Sequence, residues 1–259
     1  MLLAADVGNT EIVLGVFDGT ELEHTWRLST QPERTPDELA LTLSGLLAQR
    51  GMSLESQVTG FVVASVVPDV TATIREMSAQ HFPFDPVIVG PGVKTGVSVL
   101  TDNPREVGAD RVVNALAAFS LVGGPAIVVD FGTATNFDVV SERGEFVGGV
   151  IAPGLQASAA SLFSRTARLT RVELAPPANV VGTSTVEALQ SGLIYGTAGQ
   201  VDAIVTRIRA ELPGASTIAT GGLASVVIPH CTTIDRLEPW LTLIGLRLVF
   251  ERNVTPADG

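Results

Sequence analysis

The chain has 259 residues, 46% of them hydrophobic and 17% charged, with 16 basic against 27 acidic side chains and a net charge of −11. Such a composition builds a packed globular core, while the acidic excess repels phosphate backbones and argues against nucleic-acid binding. Apolar runs such as Phe61 to Val67 fall far short of the roughly 20 residues that span a bilayer. The start, Met1 to Ala5, lacks the basic region of a secretory signal, and a single cysteine, Cys231, leaves no internal disulfide; a cytoplasmic protein without a membrane partner is expected. His24, His81 and His230 stand too far apart for a spacing-based zinc motif, and no HExxH or CxxC occurs.

In chain order, Leu2 to Val7, Ile12 to Asp18 and Glu21 to Leu28 read as strands, with Asp18-Gly19 as a hairpin signal. A helix is expected over Pro36 to Arg50, where Thr35 caps, Pro36 suits the first turn and Glu38 completes a capping box. Gly60 to Val67 follows as a buried strand, Val70 to Phe82 as a helix and Pro86 to Val89 as a strand. Within Pro104 to Val122, the stripe Val113, Leu116, Ala117, Ser120 and Leu121 has helical spacing and marks a helix between two domains.

The second half restarts like the first. Ala126 to Val129 runs into Asp130-Phe131-Gly132-Thr133, followed by strands at Asn136 to Val140 and Glu145 to Ile151. Asp6-Val7-Gly8-Asn9-Thr10 and Asp130-Phe131-Gly132-Thr133-Ala134-Thr135 share the order strand, D-x-G, hydroxyl, strand, so a duplication is expected, with domains at 1–118 and 119–259. Helices at Val186 to Tyr195 and Val201 to Leu212, a strand at Thr217 to Thr220, a final helix at Pro239 to Glu251 and a frayed tail from Thr255 complete the reading.

Glycine after a strand-terminal Asp lets a phosphate approach the backbone, Asn9 and Thr10 add neutral donors, and Asp6 suits a hydrated Mg²⁺. Asp130, Gly132 and Thr133 repeat that set, so two such turns facing one cleft would grip a polyphosphate. Each turn taken alone also reads as an ordinary hairpin. No GxxxxGK[ST] or strand-following GxGxxG is present, which argues against a P-loop kinase or a Rossmann dehydrogenase. Phosphoryl transfer then rests on backbone amides, Mg²⁺ and a base on the acceptor hydroxyl. Asp110 in Gly108-Ala109-Asp110-Arg111 is the candidate base, with Arg111 able to fork onto a carboxylate; a solvated helix end is the other reading. Gly148-Gly149, Pro153-Gly154 and Gly221-Gly222 read equally as ligand approaches or as packing. Ser184 and Glu187 form a second capping box beside Thr185.

On the motifs Asp6 to Thr10, Asn103-Pro104 through Gly108 to Arg111, Asp130 to Thr135, Gly148-Gly149 through Pro153-Gly154, and Gln190-Ser191-Gly192, the sequence resembles the type III pantothenate kinases. The resemblance implies an α/β architecture: a duplicated ribonuclease-H-like, actin-like ATPase fold of two domains, each a mixed sheet flanked by helices. It implies transfer from ATP to the terminal hydroxyl of pantothenate, the first step towards coenzyme A. By the same resemblance, Asp6, Val7, Gly8, Asn9, Thr10, Glu11, Ile12 and Val13 form an ATP loop and Thr133 touches ATP. Gly108, Ala109, Asp110 and Arg111 hold pantothenate with Thr185, Asp110 accepts the proton, and Asp130 binds a monovalent cation, K⁺ or NH₄⁺, alongside Mg²⁺. A homodimer is implied as well. Thr101 departs from the family, many members of which carry an aromatic residue there. The alternatives at this stage are a non-catalytic nucleotide-binding regulator of the same fold and a phosphohydrolase or kinase with another small substrate.

Overall fold

The computed structural model describes residues 1–165 and 172–254. It divides into two compact units, one of Met1–Val97, Asn103–Ala117 and the segment from Thr242 onward, the other of Ser98–Asp102 and Ala118–Leu241. The tail expected to fray from Thr255 lies outside the described residues.

In the first unit, β1 (Leu2–Val7), β2 (Glu11–Asp18) and β3 (Glu21–Ser29) form an antiparallel meander, and β4 (Gly60–Ser65) and β5 (Val87–Ile88) add in parallel. The strand order is β3-β2-β1-β4-β5. Helices α1 (Pro36–Ala48) and α3 (Pro68–His81) cover one sheet face, where Leu39, Leu43, Leu47, Val70, Ile74 and Met77 pack on Leu3, Ala5, Val7, Leu14, Val16, Phe61 and Val63. The capping box at the head of α1 is present as read from the sequence. Strand β4 stops at Ser65 instead of running to Val67, because the Ser65 hydroxyl accepts from the Val67 N–H at 3.2 Å and turns the chain into Pro68. A short helix, α2 (Leu54–Gln57), precedes β4 and was not marked by any periodicity.

The second unit repeats this plan. Strands β6 (Ala126–Phe131), β7 (Ala134–Val140) and β8 (Phe146–Pro153) form the meander, while β9 (Ser216–Thr220) and β10 (Arg236–Leu237) add in parallel. The order β8-β7-β6-β9-β10 is that of the first sheet with each strand replaced by its counterpart. This is the duplicated mixed-sheet architecture expected from the paired D-x-G turns. Helices α5 (Leu155–Arg165) and α6 (Thr185–Glu211) pack Leu155, Ala159, Leu193, Ile194, Val201 and Val205 onto Ile127, Val129, Phe131 and Phe137.

Two readings of the helices are corrected. Val186 to Tyr195 and Val201 to Leu212 are parts of one helix, α6, which runs through Gly196 and Gly199. Each glycine costs about 1 kcal/mol of helix propensity, but the buried series Leu193, Ile194, Ala198, Val201 and Val205 continues across them and offsets it. Helix α5 is a further helix that the sequence reading leaves out, although Leu155, Ala159, Leu162 and Phe163 fall at helical spacing.

The unit boundary falls inside α4 (Ala109–Val122), and the last helix, α8 (Leu241–Asn253), groups with the first unit from Thr242 onward. A linear division at 119–259 assigns that helix to the second half instead. Glycines explain the grouping: a side chain at Gly15 would meet Leu243 at 2.8 Å, one at Gly60 would enter the Phe250 ring, and one at Gly245 would strike the Val113 carbonyl of α4. Thr242 also donates to the Asn114 side chain at 2.8 Å. The last helix, α8, follows the short α7 (Ala224–Val227) in chain order.

Candidate functional site

The first D-x-G turn joins β1 to β2. Asp6 and Val7 pair with Val13 and Ile12, and the loop closes through a 3.0 Å bond from the Gly8 N–H to the Glu11 carbonyl. Thr30, just past β3, ties this loop down: its hydroxyl donates to the Gly8 carbonyl at 2.7 Å and its N–H to the Thr10 carbonyl at 3.0 Å. Asn9, Thr10 and Glu11 are exposed, and Glu11 pairs with Arg27 at 2.9 Å. The loop therefore presents N–H groups and small polar side chains on a backbone fixed by Thr30, an arrangement suited to phosphate oxygens.

The head of α4 carries the next candidate residues. Ala109 opens the helix, Asp110 lies in its first turn, and the Val112 N–H bonds back to the Gly108 carbonyl at 3.3 Å. The Asp110 carboxylate folds over Gly108, where a β-carbon would collide with its Oδ1 and lie 3.8 Å from Val66. That Oδ1 is buried and accepts no hydrogen bond. A buried carboxylate oxygen without a donor is costly, and a hydroxyl proton brought to it would satisfy it.

In the second unit the corresponding turn joins β6 to β7, with Asp130 paired to Asn136 and Phe131 to Thr135. It is tighter than the first, closing from the Gly132 N–H to the Ala134 carbonyl at 3.0 Å, and Gly132 and Thr133 are exposed. The Asp130 Oδ1 lies 3.7 Å from where a Gly132 side chain would begin and 2.5 Å from where one on Gly221 would begin. Asp138, on the same strand face as Asn136, is fully buried; a carboxylate in mid-strand was its only sequence signal, and it was not read as a site residue.

Metal chemistry can be tested on these donors. Among the described residues no group of three or more His, Cys, Asp or Glu side chains is placed to hold a metal ion. A protein-only cage is therefore absent from them, whereas single carboxylates such as Asp6 and Asp130, each beside exposed loop backbone, fit hard cations that keep water and phosphate oxygens as their other ligands.

Thr185 is exposed at the first position of α6. Ser184 caps the helix by accepting from the Glu187 N–H at 3.2 Å, and Glu187 in turn accepts from the Thr183 N–H at 2.8 Å. That backbone bond, followed by those from the Thr183 hydroxyl and Ser184, holds the Glu187 carboxyl below its ordinary value. Thr101 has a buried hydroxyl oxygen without a partner. Burial, with the Asp202 charge second, pushes the Cys231 thiol up to about 12, so it is no nucleophile at neutral pH. Lys94 is held through its backbone: Asn253 accepts from its N–H and donates to its carbonyl, each at 2.9 Å.

Comparison with known proteins places these features in a family. The sequence model of the type III pantothenate kinases matches residues 2–207. The type III pantothenate kinase of Acidothermus cellulolyticus is 58% identical over 98% of this chain and 99% of its own, and that of Frankia alni is 59% identical over 98% and 100%. Among solved structures, component A of the (R)-2-hydroxyglutaryl-CoA dehydratase of Acidaminococcus fermentans superposes with a TM-score of 0.56 at 13% identity, covering 97% of this chain and 96% of its own. The inorganic polyphosphate/ATP-glucomannokinase of Arthrobacter gives 0.52 at 14% identity, covering 98% and 99%. These two distant structures share the fold alone. Identity above half over nearly the whole length, on a chain with both D-x-G turns and an aspartate heading α4, decides the matter: the chain belongs to the type III pantothenate kinase family.

Proposed function

We propose that this chain transfers the γ-phosphoryl group of ATP to the terminal hydroxyl of pantothenate, with Asp110 as general base. The observation that carries the assignment is the buried, unpartnered Asp110 Oδ1 folded over Gly108 at the head of α4. A base must present a free lone pair to the hydroxyl it deprotonates, and this oxygen has one. The proton leaves the acceptor hydroxyl for Asp110 as that oxygen bonds to the γ-phosphorus and the bond to the β-phosphate oxygen breaks. Gly108 and Ala109 leave room for substrate, and Arg111 offers a guanidinium to the pantothenate carboxylate. Thr185 supplies a further polar contact to pantothenate.

In this reading the loop from Asp6 to Val13 and Thr133 bind ATP through backbone N–H groups and hydroxyls. Asp130 holds a monovalent cation, K⁺ or NH₄⁺, and Asp6 suits hydrated Mg²⁺; bound there, the cations would neutralise phosphate charge that the −11 chain does not. The enzyme acts as a cytoplasmic homodimer. Support for self-association comes from apolar side chains left exposed along β8, Val147, Val150 and Ile151, the last 65% exposed. No helix among the described residues is long and apolar enough to cross a membrane.

The test is ADP release by the purified protein with ATP, Mg²⁺ and K⁺, with and without pantothenate. Turnover that requires pantothenate is the expected result. Binding of ATP without turnover would favour the non-catalytic regulator, and phosphate release without an acceptor would favour the phosphohydrolase.

A further inference from the structure

The second D-x-G turn is enclosed by backbone from both sides. At the β9–α7 junction, Gly221 adopts φ +95°, and a side chain there would lie 2.5 Å from the Asp130 Oδ1 and 2.7 Å from both the amide nitrogen and the carbonyl carbon of Phe131. The Leu223 N–H reaches the Phe131 carbonyl at 3.4 Å from the same junction. At the β8–α5 junction, Gly154 is buried, and a side chain there would collide with the Thr133 carbonyl oxygen and lie 2.8 Å from that of Gly132. Two junctions far apart in sequence thus press bare Cα atoms onto successive residues of one turn. Gly221 abuts the residues that carry the carboxylate, and Gly154 abuts those that carry the exposed hydroxyl.

The close contacts are to backbone and to a short carboxylate, neither of which can swing aside as a long side chain does. A methyl group at either glycine must displace the turn itself. We propose that Gly154 and Gly221 are positioning residues that set the two halves of this turn separately: Gly221 fixes the Asp130 carboxylate for the monovalent cation, and Gly154 fixes Gly132 and Thr133 for the nucleotide phosphates. The proposal rests on the roles given above to Asp130 and Thr133.

Gly154→Ala, Gly221→Ala and a control, Gly199→Ala, are compared with the unsubstituted protein. Gly199 lies within α6 with open space where its side chain would begin. Three readouts are taken: K⁺ for half-maximal activity, ATP affinity by calorimetry, and the K⁺-induced rise in melting temperature with ADP bound. Displacements approaching 1 Å at such sites cost up to about 100-fold. Gly221→Ala is expected to raise the K⁺ requirement at least about tenfold and to abolish the K⁺-induced thermal shift, with ATP affinity changed less. Gly154→Ala is expected to do the reverse, weakening ATP at least about tenfold with a smaller change in K⁺ requirement. Gly199→Ala is expected to match the parent.

Folded variants with both constants within about twofold of the parent would overturn the proposal, as would equal losses in both from either variant. Gly221 has positive φ, where alanine is strained; Gly154 does not, so its variant carries the test if Gly221→Ala fails to fold. If neither folds, the glycines serve folding rather than the turn, and the proposal falls. An unsubstituted enzyme indifferent to K⁺ would instead remove the cation from Asp130, and the ATP affinity of Gly154→Ala would still decide whether the turn is positioned as proposed.

Discussion

The two D-x-G turns occupy equivalent places in sheets of equivalent order, yet they are held by different means. The first is longer, with Val7 paired to Ile12, and is tied by the Thr30 side chain and backbone. The second is shorter, with Phe131 paired to Thr135, and is enclosed by Gly154 and Gly221. The difference extends into the strands. Gly15 on β2 lies against Leu243 of α8, whereas the matching position on β7, two residues past the partner of the strand-end aspartate, is the buried Asp138. A duplicated scaffold therefore keeps its strand order while each copy finds its own way to restrain the turn. One restraint is a pair of hydrogen bonds, each worth about 1 kcal/mol. The other is steric and yields only by moving backbone.

The largest effect tests whether chemistry is separate from both turns. Asp110→Asn is expected to lower kcat by about 10²-fold or more, as loss of a positioned base does, with the KM for ATP little changed. An unaltered kcat in steady-state assays would return the reaction to the turns themselves. Next, Asp130→Asn is expected to lose activation by K⁺ while the Asp6 turn continues to bind ATP, read by comparing rates with and without K⁺ against calorimetric ATP affinity. Loss of ATP binding would mean the two turns are not divided as described. Thr30→Val removes the hydroxyl that donates to the Gly8 carbonyl, and at about 1 kcal/mol the KM for ATP should rise roughly fivefold; no rise would show that the first turn keeps its shape without the tie.

The smallest expected effect concerns stability within the second unit alone. Burial raises the Asp202 carboxyl, but hydrogen bonds from the hydroxyls and N–H groups of Thr233 and Thr232, 2.8–3.0 Å long, outweigh it and hold the group below its ordinary value. A lowered folded-state value contributes stability that is complete above the ordinary carboxylate range and lost as pH falls through it. Melting curves of the parent should therefore decline below about pH 4, and Asp202→Asn should start lower and decline less. A variant whose curves parallel those of the parent at every pH would deny Asp202 that role.

Local chemistry was readable from the sequence where it acts over a few residues. The capping boxes Thr35 with Glu38 and Ser184 with Glu187 are both present, and the repeated D-x-G placed the leading strands of both sheets. What escaped was set by distant partners. Thr30 is an unremarkable residue until β3 brings it to Gly8, and Gly154 and Gly221 looked as much like packing as like ligand approach until the second sheet put both against one turn. Helix α8 closes on the first sheet through Gly15 and Gly60 and on α4 through Gly245, which no periodicity reveals. Asp110 was named from its motif, but its orphaned Oδ1 depends on the carboxylate folding over Gly108, which has no side chain to block it.

The central claim is that the Asp110 carboxylate serves an acceptor hydroxyl, and that the acceptor is pantothenate. Its most direct test is the ratio of ADP release with and without pantothenate, at saturating ATP, Mg²⁺ and K⁺, with the product identified by mass. Release that depends on pantothenate and matches phosphorylated pantothenate mole for mole is the predicted result. ADP release at the same rate without it, or none with it from protein that binds ATP, would contradict the account.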